Sequence, residues 1–283
     1  TEEDMDNLFS EIQRLESRLS RTLEDSDVYN INHAAGVGEV ELTPETMTVI
    51  AEGIRDNEIS NRDFDITIGP LVELWGIGTD SAAVPEESDL KAILSKVNLD
   101  NFDFCCNTAE LLEEGMAIDL GGIAKGFVAD EIARMLKNQS VTGAIINLGG
   151  NVLTVGQKPD GSNWKVGVQD PFQATGNYME VVSVGEMSVV TSGPYERIFA
   201  EEGVVYHHIL NPFTGYPIDN DIASVTIVSE KSIDGDGLST SVFAMGVKEG
   251  MVLVESLDNT ECYMVLDDGS IVMSSGFSNF LQN

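Results

Sequence analysis

Apolar positions organise the first half of the chain into helices. Met5, Leu8, Ile12, Leu15 and Leu19 recur at three- and four-residue spacing, which predicts a long amphipathic helix ending near Leu23. Thr43-Pro44 reads as an N-cap followed by proline at the first helical position, with Met47, Ile50 and Ile54 as the apolar stripe behind it. Residues 88–97 predict another short helix. The stretch from Phe64 to Trp75 is apolar but punctuated by glycine and proline, and is expected to be turn and irregular structure. From about Ala144 the pattern changes. Residues 145–148, 152–155, 164–168, 179–184 and 188–191 are short β-rich runs, with Gly149-Gly150 and Asp160-Gly161 as turn signals between them. Residues 223–229 predict a further strand, 238–245 and 251–256 two helical pieces, and 262–266 with 271–274 a closing hairpin around Asp267-Asp268-Gly269. No repeat and no low-complexity linker interrupts the series. The pattern predicts an α+β fold of mixed, largely antiparallel sheets packed with helices, without a clean domain boundary.

Charge narrows the range of partners. The 283 residues carry 48 acidic against 15 basic side chains, a formal net charge of −33. A chain of that sign is repelled by nucleic acid and by an anionic membrane surface. Any phosphate ligand needs a metal ion or a placed lysine to offset the field. The three cysteines form no CxxC, so neither a zinc knuckle nor a thioredoxin-type motif is present. The adjacent Cys105 and Cys106 and the distant Cys262 are expected to be small core residues. No apolar run reaches the length of a membrane span, and no signal peptide is visible. The sequence begins Thr-Glu-Glu-Asp without an initiator methionine, which leads us to expect that an upstream portion has been removed.

Candidate chemistry concentrates in a few segments. In Asp119-Leu-Gly-Gly-Ile-Ala-Lys-Gly-Phe-Val-Ala-Asp130 an apolar approach (Met116, Ala117, Ile118) ends in an acid and two glycines. An amphipathic helix then follows, with Ile123, Phe127, Ile132 and Met135 on one side. Gly121 and Gly122 let the backbone approach a ligand, and a helix N-terminus presents free N–H groups that suit a phosphate. Lys125 lies just inside that helix, where a cation is unfavourable unless an anion is near. The plain alternative is an ordinary strand-to-helix turn. Only His33, His207 and His208 are available as a histidine base. The last two open His-His-Ile-Leu-Asn-Pro-Phe-Thr-Gly-Tyr-Pro-Ile, whose prolines and glycine fix a turn, as a positioned base requires. Two surface histidines before a loop would give the same pattern. Asp234-Gly-Asp-Gly-Leu-Ser-Thr240 offers hard oxygen donors for Mg²⁺ or Ca²⁺ in a tight turn opening a helix. The same segment also reads as a helix N-cap through Asp236 or Ser239. Thr191-Ser-Gly-Pro-Tyr-Glu-Arg197 and Asn147-Leu-Gly-Gly-Asn151 add small-residue turns after strands. The elbow GxSxG, the Walker loop and the fingerprint GxGxxG are absent.

Taken in chain order, seven segments resemble the ApbE-type FAD:protein FMN transferases. They are residues 26–32, the run Asp63-Phe-Asp-Ile-Thr-Ile-Gly-Pro-Leu-Val-Glu-Leu-Trp-Gly76, and residues 119–126, 147–151, 191–197, 208–217 and 235–240. The resemblance spans nearly the whole chain. It implies one ApbE-like flavin transferase domain over residues 1–283, without the N-terminal strand and the export or anchor segment. It also implies Mg²⁺-dependent transfer of the FMN moiety of FAD onto a Thr or Ser hydroxyl of an acceptor flavoprotein subunit bearing a Thr/Ser sequon, with release of AMP. By motif position, Asp63, Phe64, Asp65, Asp119, Lys125 and Leu210 would contact FAD. Gly122, Asp236 and Thr240 would hold the metal, and His208 would be the base. FAD pyrophosphatase activity and non-catalytic FAD binding are the alternatives. The family further implies export to the outer face of a bacterial cytoplasmic membrane, with a lipid anchor as the membrane contact. The sequence departs from the family at Pro194, Asn211 and Phe213, where a polar residue, aspartate and a basic or polar residue are usual, and Thr22 stands where some members have a tyrosine.

Overall fold

The computed structural model describes residues 2–281. In chain order the helices are α1 (Glu2–Leu19), α2 (Asp27–His33), α3 (Pro44–Ile59), α4 (Gly69–Trp75), α5 (Glu87–Leu94), α6 (Ala124–Asn138) and α7 (Ser232–Glu255). The strands are β1 (Val40–Glu41), β2 (Phe102–Cys105), β3 (Thr108–Leu111), β4 (Gly143–Leu148), β5 (Asn151–Gly156), β6 (Trp164–Gln169) and β7 (Tyr178–Val184). They continue with β8 (Ser188–Ser192), β9 (Ile198–Glu201), β10 (Val204–His207), β11 (Ile222–Ser229), β12 (Glu261–Leu266) and β13 (Ile271–Met273). Every pairing between these strands is antiparallel, as the α+β reading requires. The chain divides into two compact units: residues 2–122 with Pro194–Asp219, and Ile123–Gly193 with residues 220–281.

The first unit holds α1–α5, the sheet β1-β3-β2 and the hairpin β9-β10. Helix α1 stops at Leu19, short of the predicted Leu23. The Ser20 hydroxyl accepts the Thr22 and Leu23 N–H groups at 3.2 Å each, a local bonding pattern that competes with helix. Helix α3 starts at Pro44 behind Thr43 as expected, but Val49 and Ile50 form its fully buried stripe while Met47 and Ile54 are only half-buried. The expected irregular stretch contains α4. Its breakers bracket the helix: Pro70 lies in the first turn, and Gly76, at φ 58°, caps the end in the left-handed region. Trp75 is fully buried with Leu71, Leu90 and Leu210, against Phe199 and Tyr206 of the hairpin. Its indole N–H donates to Gly215 O at 2.7 Å. Two of the cysteines are not core residues. Cys105 and Cys106 are exposed because β2 buries its other face and Cys106 begins the turn to β3.

The second unit is a six-stranded sheet, β13-β12-β11-β8-β5-β4, with α6 and α7 packed on it and the β6-β7 ladder beside it. Every residue of β11 is buried. Val166, Val168, Val182, Val184, Val265 and Phe277 belong to its core. Trp164 packs at the edge of this cluster and donates its indole N–H to Gly156 O at 3.0 Å. The two helical pieces expected near 238 and 251 are halves of α7, interrupted at Gly246 (φ 79°, ψ 174°). By length and composition α7 could cross a bilayer, contrary to the expectation; within this unit it is a core helix, buried at intervals from Ile233 to Val254.

Candidate active site

In the second unit the chemistry gathers where α6 meets α7. Neither helix carries its own side-chain N-cap. Each supplies the other's. Asp236 of α7 accepts the Gly126 N–H at 2.8 Å, inside the first turn of α6. Asp130 of α6 accepts the Ser232 and Ile233 N–H groups at 2.9 Å each, at the start of α7. Carboxylates suit both positions, because orphan N–H groups and the helix dipole converge there. The exchange needs very close helices. A Cβ on Gly126 would lie 2.6 Å from Ile233 Cα, and one on Gly235 would lie 2.9 Å from Ser229 Oγ. Gly235 of the Asp234–Thr240 segment therefore serves packing of a helix that has already begun, against the sheet. The tight turn expected there is absent, and its acid caps the neighbouring helix instead of its own.

This corner gathers three of the sequence-predicted residues. Burial pushes the Asp236 carboxyl above the usual carboxylate range, and the Lys125 ammonium, the Lys125 and Gly126 N–H groups and the Asn151 amide oppose the rise. Thr240 follows Asp236 by one helical turn, so both project from the same face of α7. Asn151 comes from the Asn147–Asn151 turn and accepts the Ser232 hydroxyl at 2.5 Å. The Gly149-Gly150 turn that delivers it has φ of 62° and 96°, which glycine takes freely. Asp130 and Asn151 were not singled out by the sequence reading. Asp130 stands seven positions into its helix, where nothing local marks a cap. Burial raises the Asp130 carboxyl to about 6, with Asp234 adding to the rise.

Asp236 and Thr240 offer only oxygen donors, the choice of Mg²⁺ or Ca²⁺ rather than zinc. A carboxylate raised by burial with one lysine nearby gains from a further cation. The residues present thus fit a hard divalent ion. Among the described residues no cluster of three His, Cys, Asp or Glu side chains comes together.

The first unit holds Asp63, Phe64, Asp65, Asp119, Gly122, His208 and Leu210. The 63–68 and 116–119 segments run side by side. Asp119 N–H donates to Ile66 O at 2.8 Å, and Ile68 bridges Ala117 in parallel. Asp119 Oδ1 accepts the Gly121 N–H at 2.7 Å, and its Oδ2 lies 3.3 Å from Arg21 Nε. Asp65 Oδ1 accepts the Thr67 N–H and hydroxyl at 2.7 and 2.6 Å. Burial raises the carboxyls of Asp63 and Asp65, with the Thr67 bonds opposing it at Asp65. Phe64 is buried, its N–H on Ser60 Oγ and its carbonyl on Asn57 Nδ2. Leu210 is packed in the Trp75 cluster. A cavity of 580 Å³ in this unit, over Phe102 and Phe104 and rimmed by Arg62 and Asp100, contains none of these residues.

His207 and His208 play different parts. His207 Nε2 bonds Ile218 O at 2.8 Å, and its Nδ1 accepts the Ile209 N–H at 3.3 Å, which fixes the tautomer with the proton on Nε2. Burial lowers its pKa, so it stays neutral and closes the loop of residues 208–218. Within that loop Asn211 Oδ1 accepts the Phe213 and Thr214 N–H groups at 2.8 and 3.0 Å. The departure from the family's usual aspartate keeps the acceptor. His208 is half-buried, its N–H on Arg197 O at 3.2 Å.

The family model described as ApbE family matches residues 2–264. The chain belongs to the ApbE family. It is 37% identical to the FAD:protein FMN transferase of Klebsiella pneumoniae (strain 342), over 95% of this chain and 84% of that one. Against the FAD:protein FMN transferase of Treponema pallidum (strain Nichols) identity is 33%, over 96% and 79%. The ApbE protein of Thermotoga maritima superposes with a TM-score of 0.91 at 31% identity, covering 100% of this chain and 92% of that one. The flavin transferase ApbE of Vibrio cholerae follows at 0.89 and 28%, covering 99% and 91%. The fold of the chain is thus that of the ApbE structures.

Proposed function

We propose that this chain is an FAD:protein FMN transferase. It moves the FMN moiety of FAD onto a Thr or Ser hydroxyl of an acceptor flavoprotein subunit and releases AMP, with Mg²⁺ as the metal. The observation that carries the reading is the α6–α7 corner. In a chain of net charge −33 it collects a lysine, a helix N-terminus and an oxygen-only donor pair, the groups that a pyrophosphate substrate needs.

Asp63, Phe64, Asp65, Asp119 and Leu210 are the proposed FAD contacts, and Lys125 offers a point charge to phosphate. Asp236, Thr240 and the Gly122 carbonyl are the proposed metal ligands. Bound there, the ion would neutralise charge on phosphate oxygens and ease departure of AMP. His208 takes the proton of the acceptor hydroxyl as its oxygen bonds the FMN phosphorus and the bond to the AMP oxygen breaks. Nδ1 of His208 is buried, which favours Nε2 as the proposed acceptor of the proton. A positioned base of this kind is worth about 10²–10⁴-fold. Export and a lipid tether on the outer face of a bacterial cytoplasmic membrane complete the proposal for the native protein, to be checked by fractionating cells that express the whole gene.

The test is the intact mass of an acceptor flavin-subunit domain incubated with this protein, FAD and Mg²⁺. The expected gain is one FMN less one water, abolished by a chelator and by His208→Ala, with FAD binding retained in that variant. FAD converted to FMN and AMP without gain in the acceptor would overturn transfer in favour of hydrolysis. Intact FAD that persists after Mg²⁺ is added would leave a binding protein. Full transfer by His208→Ala would remove His208 as the base.

A further inference from the structure

The tip of the β2–β3 hairpin, in the first unit, carries two thiols that the flavin chemistry does not use. Cys105 and Cys106 are both exposed, and their Sγ atoms lie 3.2 Å apart. The tip is held rather than loose. Asn107 O accepts the Leu42 N–H at 2.8 Å, Asn107 Nδ2 donates to Glu41 Oε1 at 3.0 Å, and Thr108 Oγ1 donates to Glu39 Oε2 at 3.1 Å. Cys106 has φ 57°, a left-handed conformation that residues other than glycine and asparagine seldom take. That backbone turns the second thiol toward the first.

The geometry disfavours a bond between the two sulfurs. Consecutive Cα atoms are about 3.8 Å apart across a trans peptide, below the roughly 4.4–6.8 Å usual across a disulfide. One soft atom bridging both sulfurs asks for no such contraction. Zinc is a poor candidate, because it takes about four ligands and no third His, Cys, Asp or Glu joins the pair among the described residues. A trivalent arsenic centre is pyramidal, with a lone pair, and is satisfied by two adjacent sulfurs and one further group. It is also uncharged in its oxide and hydroxide forms. Asp103 shares the exposed face of β2 with Cys105 and stands opposite Glu110, so an anionic thiol reagent meets repulsion that a neutral one escapes.

We propose that Cys105 and Cys106 form a vicinal-dithiol site that chelates a trivalent arsenical. Two S–H bonds and the bonds from arsenic to its oxygen break, two As–S bonds form, and the oxygen leaves as water with the two thiol protons. Nothing is oxidised or reduced. The Cys106 thiol beside it holds the Cys105 thiol above its ordinary pKa. Cys262 is fully buried and takes no part.

The probe is phenylarsine oxide added to the reduced, folded full chain and read by intact mass. The expected result is one adduct, equal to the reagent less one water. It should survive Cys262→Ser, vanish in Cys105→Ser and in Cys106→Ser, and reverse with a small dithiol but not with a monothiol at equal thiol concentration. An adduct that persists in either single variant would overturn the chelate. So would an unlabelled folded parent, and so would a parent that loses two hydrogens to an added small-molecule disulfide faster than it takes the arsenical. Because both side chains are exposed, serine at either position is expected to leave the thermal midpoint unchanged, which separates loss of the site from loss of the fold.

Discussion

Asp236 and His208 are fixed by different means. Asp236 is set by helix against helix, where the N–H groups it accepts belong to α6 while its own helix is capped from α6 by Asp130. His208 is set by a loop closed on itself through His207, Asn211 and the Trp75–Gly215 bond. The first arrangement is a mutual dependence of two carboxylates, Asp236 buried and Asp130 half-buried, and the second a chain of short-range bonds around one hydrophobic anchor. A residue in the corner therefore cannot change without touching two helices. A residue in the loop can change with effects that stay in the loop.

The largest effect is expected at Asp236. Asp236→Ala should slow transfer by about 10²–10³-fold, the scale for a lost charge-stabilising group. It should also lower stability by about 0.5–2 kcal/mol, because the first turn of α6 loses its cap. Asp236→Asn keeps an acceptor for Gly126 and sharpens the comparison. It should recover the urea midpoint but not the rate, and recovery of both would make the corner mere scaffold.

Next comes Gly126→Ala. Alanine in a helix interior gains up to about 1 kcal/mol over glycine. Here its Cβ meets the backbone of Ser232 and Ile233, which cannot give way, so overpacking of about 1–3 kcal/mol outweighs the gain. A lowered thermal midpoint is expected, and a raised one would show that the helices can part cheaply. In the loop, Trp75→Phe removes the bond to Gly215 O, worth about 1 kcal/mol. Transfer should fall by no more than about tenfold, while Mg²⁺ dependence stays as in the parent.

The other half of the exchange is tested by a pH dependence. The Asp130 carboxyl is raised from 3.8 to about 6, so folding takes up a proton between those values. The group's contribution is fully present below 3.8 and is lost as pH rises through about 6. The urea midpoint of Asp130→Asn relative to the parent should therefore climb across that interval and level off above it. A flat difference would mean that Asp130 titrates alike folded and unfolded.

Legibility in the sequence followed the range of the forces involved. Periodic apolar spacing located α1 and α3, each of which buries one stripe, and short β-rich runs between turn signals located the strands of the six-stranded sheet. It failed at α4, where proline and glycine were read as breakers although they open and close a helix. It also failed at the start of α7, whose capping acid lies 102 residues away in Asp130. The cysteines at 105 and 106 were misplaced because composition says that cysteine is buried, and only the pleat of β2 and the turn after it expose them. The motif residues themselves were legible through family resemblance. The close approach of Lys125, Asp236 and Asn151 was not, because it depends on glycines whose service to packing is invisible until the helices are in place.

The chain has two tryptophans, and each unit holds one. Trp75, the last residue of α4, is sealed among the rings of Phe199, Tyr206 and Tyr216, and Trp164 is half-buried with Lys158 Nζ 5.9 Å above its ring. Their emission should differ in wavelength and in access to a soluble quencher, the sheltered indole emitting to the blue. Replacing either one with phenylalanine leaves a single fluorophore that reports one unit alone. The protein thus carries a built-in optical reporter for the melting of each half, without an added dye.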